Sequence, residues 1–320
     1  MSQGTTGNLL PKGAAALGRL SPRKLAALMA SAPAARVAVR DARWWLGAVW
    51  LAVSALLLAM VAHIVLVGAL QHSRTQAVAY NDLRSSLANA VTPVGQLDFE
   101  GNLVALGTPV ALISIPSLGL QEVVRQGTTG EILRGGPGHS VDSVMPGQAG
   151  TSILLGRQSS YGGPFGALQK LAPGAEISIV TGQGTSTYAV FGMRRGGDPL
   201  PDPLGKGEGR LQLVTADGPA LLPTGVLYVD AQLTSTVMAT PSAVMLASAL
   251  LASQKPMAMN PDAWPGVFFS LQWLVATCLL VLWLRRRWGG WQTWIVGVPL
   301  VLALAVATAD AFASALPNLL

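Results

Sequence analysis

The residues of this chain that could carry out chemistry are few and widely separated. The sequence contains one cysteine, Cys278, and three histidines, His63, His72 and His139. Cys278 lies within a strongly apolar run, so the rest of the chain has no thiol that could act as a nucleophile. The histidines lack the close spacing of a transition-metal site. We therefore predict no metal site and no cofactor.

Two weaker interpretations of the polar residues remain open. His139 stands in a Gly-Pro-Gly-His stretch, which favours a loop histidine that bonds to backbone or water. Carboxylates are the ligands that calcium prefers, and scattered acidic residues leave a weak calcium site as an alternative. These are Asp98, Glu100, Asp142 and Glu176.

The composition indicates a membrane protein, since 51% of the residues are apolar, 11% are charged and the mean hydropathy is +0.46. Residues 44–70 include one ionisable group, His63, and exceed the roughly 20 residues that a helix needs to cross a bilayer. Two more apolar runs, 266–284 and 291–316, are separated by the short loop 285–290. The sequence therefore predicts three transmembrane α-helices.

Basic residues orient these predicted helices, because Lys and Arg concentrate on the cytoplasmic side of membranes. The tail 1–43 contains seven basic residues and one acidic residue, and the loop 285–290 contains three arginines. Both regions are therefore predicted to be cytoplasmic. The domain between the first two spans and the C-terminal residues 317–320 are predicted to lie outside a plasma membrane that the chain crosses several times.

The net charge of +6 follows from these same basic clusters. They lie where an anionic inner leaflet would attract them, so the basicity indicates contact with the lipid bilayer. We predict no binding to nucleic acid.

The external region divides into three parts by its pattern. Residues 71–92 lack the alternation of a strand and favour a helical stalk that leads away from the membrane. Residues 93–233 contain short apolar runs between Gly and Pro clusters, the pattern of a compact all-β barrel or sandwich. Residues 234–265 form a linker whose middle, 241–253, has helical spacing. Strands are predicted at 110–115, 152–155, 176–180, 187–190, 211–214 and 227–233.

The order of motifs between about Pro93 and Leu233 resembles the sortase family, the extracytoplasmic cysteine transpeptidases of Gram-positive bacteria. The resemblance implies an all-β closed barrel, and it points to an envelope protein of actinobacterial type. The matching motifs are 115–120, 133–139, 145–151 with 153–156, 165–168, 171–177, the strand that ends at Thr215, and 227–233.

The resemblance also implies where a sortase would place its catalytic groups, and this chain departs at all three positions. The histidine of the family's Gly-His-Arg step is Arg157, the cysteine that follows Leu-Val-Thr is Ala216, and the arginine of the last strand is Val226. Thiol acyl transfer needs a thiolate, an acid–base group and a donor for the oxyanion. We therefore predict no catalytic residue and no enzyme activity.

The neighbours of these positions are candidates for a groove or a partner-binding surface. The residues are Gln158, Thr215, Tyr161, Arg194 and Arg195, of which Tyr161 and the arginine pair are predicted in loops. An unassisted Thr215 hydroxyl is a poor nucleophile without a base beside it. In the last predicted span Asp310 is costly unless it reaches water at the membrane edge or makes a polar contact with another helix or a partner.

These predictions lead to one main hypothesis and two alternatives. The main hypothesis is a catalytically inactive sortase-like scaffold or regulatory subunit of a cell-envelope membrane complex, such as a transporter, a secretion system or an envelope-assembly machine. Its partners would be other membrane proteins of that complex. The first alternative is a receptor that binds an extracytoplasmic peptide resembling the LPXTG sorting signal without cleaving it. The second is a residual transpeptidase.

Overall fold

A computed structural model describes residues 50, 57, 59–220, 222–287 and 290–320. The chain divides into two compact units, residues 1–52 and residues 53–320. The predicted cytoplasmic tail 1–43 lies outside the described residues. So do residues 44–49, 51–56 and 58 of the first predicted span, 44–70, and part of the predicted loop 285–290.

The described chain consists of a β-rich domain between helices. A π-helical turn, His63–Val67, leads into the first long helix. The helices are α1 (Gly68–Ala88), α2 (Gly130–Arg134), α3 (Trp264–Arg287) and α4 (Gly290–Ala315). The strands are β1 (Pro109–Ile115), β2 (Leu120–Gln126), β3 (Gly138–His139), β4 (Gly150–Leu155), β5 (Glu176–Thr181), β6 (Gly184–Arg195), β7 (Gly209–Asp217) and β8 (Gly225–Leu233).

The eight strands form a closed barrel in the order β1-β2-β3-β4-β7-β8-β6-β5. The pairs β2–β3 and β4–β7 are parallel, and the other neighbours are antiparallel. The two-residue strand β3 joins β2 to β4 through residues 125–126 and 154–155 only. The predicted all-β closed barrel is therefore confirmed.

Alternating side chains explain why these segments form the barrel. In β5, Ile177 and Ile179 are completely buried, whereas Ser178 and Val180 are only partly covered. Side chains of successive strand residues point to opposite faces, so one face of each strand fills the interior. The interior cluster includes Val110, Ile113, Ile115, Leu154, Phe165, Leu168, Ile177, Ile179, Leu211, Leu213, Leu227 and Val229.

The strands extend beyond their predicted bounds, and two were not predicted. β2 has the sequence LQEVVRQ, in which the polar residues near both ends obscure the pattern of a strand. β3 is only two residues long. The strand β6 continues through Arg194 and Arg195, which corrects their predicted placement in a loop. Antiparallel pairing of both residues with β8 supplies the backbone hydrogen bonds that a loop would lack.

Helix α1 lies along the barrel, although the sequence predicts a stalk that leads away from the membrane. Ala79 and Leu83 of α1 pack against Val123 of β2. The Gln76 amide donates to the carbonyls of Val123 and Gly135 at 3.1 and 2.6 Å, and its oxygen accepts from the Val123 N–H at 2.7 Å. The helix is therefore part of the folded domain.

The linker after β8 also packs on the barrel, but its middle is not the helix that the spacing predicts. Between residues 241 and 253 the chain has only short 3₁₀ turns. The Oε1 atom of Gln96 accepts from the N–H groups of Val244 and Met245 at 2.7 and 2.8 Å. These bonds satisfy backbone donors that a helix would otherwise use internally.

Helices α3 and α4 form an apolar hairpin. Two stretches of the described chain are long and apolar enough to cross a membrane, Pro261–Val281 and Trp291–Ala315. Gly297 allows the two helices to approach closely, because a Cβ atom there would lie 2.9 Å from Val281 Cγ1. Many large apolar side chains on the hairpin are exposed, including Phe268, Trp273, Trp291 and Trp294.

Candidate functional site

The barrel brings Arg157, Ala216 and Val226, the three positions that the resemblance to sortases singles out, to one end. The strands β4 and β7 run parallel with Leu155 opposite Val214, and the next residue, Gly156, donates its N–H to the Val214 carbonyl at 3.0 Å. Arg157 follows directly. On the other side of β7, Ala216 pairs directly with Val226 of β8. Strand register therefore gathers residues that lie up to 69 positions apart in the sequence.

Arg157 occupies the predicted histidine position as a buried cation. Its side chain donates to Ser160 Oγ at 2.9 Å and to the Gly130 carbonyl at 2.8 Å, and its guanidinium lies 5.1 Å from the centre of the Tyr161 ring. Burial lowers the pKa of Arg157 to about 10, which leaves the group protonated at neutral pH. A protonated guanidinium has no acceptor and cannot serve as a general base.

Ala216 lies in a closed apolar cluster. Its side chain is 1% exposed, although it lies on the face of β7 opposite the barrel interior. Leu133, Leu155, Val214 and Leu319 complete the buried part of the cluster. Partly buried residues at its margin are Ile153, Val226, Tyr228 and Met257. The predicted nucleophile position is therefore both chemically inert and covered.

Thr215 does not share this cluster, which corrects its predicted placement in a groove. Successive strand residues alternate between faces, so Thr215 lies on the same side of β7 as the interior residues Leu211 and Leu213. Its Oγ1 atom is buried without a hydrogen-bond partner among the described residues. The hydroxyl therefore points away from the face that Ala216 occupies.

Gln158, a predicted groove residue, contacts a distant segment of the same chain. The Gln158 N–H donates to the Leu319 carbonyl at 2.9 Å. The N–H and Oγ groups of Ser160 donate to the Leu320 carbonyl at 3.1 and 2.5 Å. The segment 317–320, which follows α4, thus lies along the loop after β4.

Asn318 holds the other side of this segment. Its side-chain amide donates to the carbonyls of Thr128 and Lys255 at 3.0 and 2.9 Å, and its N–H donates to the Ala258 carbonyl at 3.0 Å. The residue is 1% exposed. The loop before α2 and the linker before α3 therefore bind the segment on the side that faces away from the Gln158 loop.

Tyr161 joins the barrel to the helical hairpin. Its hydroxyl donates to Asp310 Oδ1 of α4 at 3.1 Å, and the Arg134 guanidinium lies 3.5 Å from Asp310 Oδ2. His63 Nε2 approaches Asp310 at 3.8 Å. Burial is the main cause that raises the pKa of Tyr161 to about 12. Asp310 therefore connects α4 to the barrel domain through Tyr161 and Arg134.

The two arginines of β6 differ in their relation to the site. Arg194 forms an ion pair with Asp230 at 2.8 Å and stacks 4.1 Å from the ring of Tyr228, at the margin of the Ala216 cluster. Arg195 pairs with Asp217 at 2.9 Å, and its side chain is 70% exposed. Arg194 thus reaches the margin of the cluster through Tyr228, whereas the exposed Arg195 pairs with the residue that follows Ala216.

His139 is a strand residue of the barrel wall, which corrects its predicted loop position. It is fully buried, with Nδ1 2.9 Å from Gln126 Oε1 and Nε2 2.9 Å from the Val144 carbonyl. Burial lowers the pKa of His139 to about 4, so the ring is neutral at pH 7. Across the described residues, no three His, Cys, Asp or Glu side chains gather where they could hold a metal ion.

Sequence reasoning missed the residues that fill the site. Leu319 and Asn318 belong to a segment predicted only as an external terminus, and Ser160 and Arg134 stand in motifs without an evident role. The one available signal is composition, because Asn318 and two leucines follow a proline directly after an apolar span. Such a pattern gives no indication of the contact that it makes.

A family model described as "Sortase domain" matches residues 113–220, from β1 to the loop after β7. The match includes Arg157 and Ala216 and ends before Val226. No curated protein matches the chain.

Solved structures similar to this chain are also sortases. A sortase D5 transpeptidase from Clostridium perfringens is 20% identical, with a TM-score of 0.39, 51% of this chain and 98% of that chain covered. Sortase E from Streptomyces avermitilis is 28% identical, with a TM-score of 0.36 and coverage of 41% and 91%. Sortase A from Corynebacterium diphtheriae is 19% identical, with a TM-score of 0.37 and coverage of 50% and 84%. The family match supports a relation to sortases, and it places that relation in residues 113–220 of the β-barrel.

Proposed function

We propose that this chain is a non-catalytic sortase-like membrane protein that acts as a scaffold or regulatory subunit of a cell-envelope membrane complex. The observation that carries the proposal is the chemistry of the barrel end. Arg157, Ala216 and Val226 lie at that end, and none of them offers a nucleophile or a proton acceptor. An alanine methyl group cannot bond to an acyl group, and a valine side chain cannot stabilise an oxyanion.

The residual-transpeptidase alternative would have to use Thr215. That hydroxyl lies on the interior face of β7, and the nearest degenerate positions supply no base. The test is intact-protein mass spectrometry after incubation with an LPXTG-like peptide, with Thr215→Val as the matched variant. We expect no added acyl mass on either protein. An adduct on the wild type that Thr215→Val abolishes would overturn the non-catalytic proposal.

The proposal includes a membrane topology that fits an actinobacterial, Gram-positive envelope. Three spans would place the tail 1–43 and the loop 285–290 in the cytoplasm, with the barrel and residues 317–320 outside. The two apolar helices of the hairpin and the basic residues of the tail support this arrangement. Single cysteines in each region, added to a Cys278→Ser background and labelled on intact cells with an impermeant maleimide, test it. Labelling of the tail would contradict the topology.

The scaffold role is supported by the exposed apolar surface of the hairpin. A single span is enough to tether one domain, whereas this chain has a helical pair with exposed tryptophans and phenylalanines. We expect a tagged chain to co-purify with another membrane protein in mild detergent. A matched control is the same chain with Trp273 and Trp294 changed to leucine, which keeps the apolarity but alters the surface. A strictly monomeric chain without a stable partner would contradict the scaffold role.

One observation favours the second candidate, a non-cleaving receptor for sorting-signal-like peptides. The segment 317–320 lies along the Gln158 loop with backbone hydrogen bonds at Leu319 and Leu320. A groove that accepts this stretch of backbone has the hydrogen-bonding groups that peptide recognition needs. Binding of a fluorescent LPXTG-like peptide, compared with a scrambled peptide, distinguishes the receptor from the scaffold.

A further inference from the structure

The covered face of β7 and the segment that covers it carry one more inference. We propose that the face around Ala216 is a peptide-binding groove filled by the chain's own segment 317–320, a built-in ligand that leaves before another peptide can enter. The inference rests on the proposed non-catalytic function, since an inert groove can hold a ligand permanently. It adds a named occupant and a route by which the membrane hairpin controls the groove.

The apolar part of the contact centres on one side chain. Leu319 is completely buried and belongs to the same cluster as Ala216, Val214 and Leu155. Ala216 is itself 1% exposed on the outer face of its strand, so the cover must come from other parts of the chain. Leu319 therefore closes the position over which a bound peptide would lie.

The polar part of the contact uses backbone groups, as peptide recognition does. The N–H groups of Gln158 and Ser160 donate to the carbonyls of Leu319 and Leu320. On the opposite side, the Asn318 amide donates to two carbonyls, those of Thr128 and Lys255. The groove therefore accepts an amide side chain followed by an apolar side chain. A competing peptide would carry the same two kinds of side chain.

The segment is attached to the hairpin and does not belong to the barrel sheet. None of the eight paired strands includes it, and it begins two residues after α4 ends at Ala315. Helix α4 in turn contacts the barrel through Asp310, which accepts from Tyr161 and pairs with Arg134. A displacement of α4, for example by a membrane partner, would pull residues 317–320 from the groove while the barrel stays closed.

Accessibility of the covered position tests the proposal directly. A cysteine placed by Ala216→Cys in a Cys278→Ser full-length chain should react slowly with a soluble maleimide in isolated membranes. The additional change Leu319→Asp should raise the labelling rate by about tenfold or more, because the aspartate is costly to bury in the cluster. Rapid labelling of Ala216→Cys without the second change would overturn the proposal. So would slow labelling that Leu319→Asp leaves unaltered.

Two controls separate release of the segment from unfolding. Leu200→Asp makes the same substitution at a side chain that is 79% exposed, and it should leave the labelling of Ala216→Cys unchanged. Ala231→Cys reports on the barrel interior, where Ala231 is completely buried. It should stay unlabelled when Leu319→Asp is added. Labelling of this interior cysteine would overturn the proposal, since the segment would then be a structural part of the barrel.

Rescue by an added peptide tests whether the groove recognises the segment. The peptide Ala-Leu-Pro-Asn-Leu-Leu, which copies residues 315–320, should restore protection of Ala216→Cys in the Leu319→Asp chain. The matched peptide Ala-Leu-Pro-Asn-Asp-Leu should not. Equal effects of the two peptides would overturn the assignment of a binding site. Failure here leaves the scaffold hypothesis intact, because that hypothesis is tested by co-purification and by the absence of an acyl adduct.

Discussion

The barrel interior and the Ala216 end of the barrel are both closely packed, but they are filled in different ways. The interior cluster consists mainly of residues from the strands, together with Phe165, Leu168 and Leu171 from one loop and Val104 and Met145 from two others. The Ala216 cluster takes Leu319 from beyond the hairpin and is flanked by Met257 of the linker. The interior therefore belongs to the barrel itself, whereas the cover of the site is supplied by distant parts of the chain.

The barrel wall and the Ala216 end also bury different kinds of polar group. In the barrel wall, His139 is buried as a neutral ring between two oxygen acceptors, Gln126 Oε1 and the Val144 carbonyl, and its single N–H can donate to one of them. At the site end, Arg157 is buried as a cation whose bonds go to neutral oxygens of Ser160 and Gly130. The wall is thus sensitive to acid, while the charge at the site end is constant over the physiological pH range.

The largest effect is expected in the interior. Replacing Ile179 by alanine should lower the free energy of unfolding by about 2–5 kcal/mol, because the site is completely buried and surrounded by rigid strands. Urea unfolding of the full-length chain in mild detergent, followed by pulse proteolysis of the barrel, measures the change. Leu200→Ala, at an exposed leucine, is the control. A loss below about 1 kcal/mol at Ile179 would mean that the interior collapses around the cavity.

The next effect concerns pH. The folded pKa of His139, about 4, lies below its ordinary value of 6.5, so the unfolded chain binds more protons between these values. The stability contributed by neutral His139 is therefore lost as the pH falls from about 6.5 to 4, by about 3 kcal/mol in total. His139→Gln should remove this part of the acid sensitivity in unfolding curves recorded at pH 7, 5.5 and 4. Identical slopes for both proteins would contradict the assignment to His139.

A smaller effect is expected from Arg157→Met. Loss of the bonds to Ser160 and Gly130 destabilises the fold, but removal of a buried cation partly offsets that loss, so the net cost should be about 1 kcal/mol. Between pH 4 and 8 the difference from wild type should be constant, in contrast to His139. Arg210→Met, at a less buried arginine, provides the comparison in the same unfolding assay. A pH-dependent difference would show that Arg157 titrates in this range.

The sequence predicts the barrel strands better than the site because local patterns determine strands. Ile177 and Ile179 alternate with polar or partly covered neighbours, and that period identifies β5 without any structure. The strand β2 lacks such a signal at its ends, and β3 forms through its pairing with residues 125–126 and 154–155. These two strands were accordingly missed.

Only those positions of the site that follow from the order of motifs could be located from the sequence. Arg157, Ala216 and Val226 were located from the resemblance, and strand register then brought them together. The contact between Gln158 and Leu319 spans 161 residues and depends on where α4 ends, which no local pattern encodes. The incorrect placement of Thr215 has the same cause. Its side chain faces the barrel interior because of its position in β7, although its neighbour Ala216 faces the other side.

The smallest change in stability is expected at Leu319, although its side chain is as buried as that of Ile179. A buried leucine replaced by alanine in a rigid core costs about 2–5 kcal/mol. At Leu319 the barrel can avoid most of this cost, since the segment 317–320 can detach while all eight strands stay paired. We therefore expect Leu319→Ala to lower the unfolding free energy of the barrel by less than about 1 kcal/mol.

The local effect of the same change should be large and confined to two amides. The N–H groups of Gln158 and Ser160 are bonded to Leu319 and Leu320, so their hydrogen exchange should accelerate by about tenfold when the segment detaches more often. The N–H of Gly156 is bonded to Val214 within the barrel and serves as the internal control. Selective exchange at Gln158 and Ser160 with an unchanged Gly156 would establish that the cover moves independently. Equal acceleration at all three amides, together with a loss of 2–5 kcal/mol in barrel stability, would mean that Leu319 belongs to the same cooperative core as Ile179.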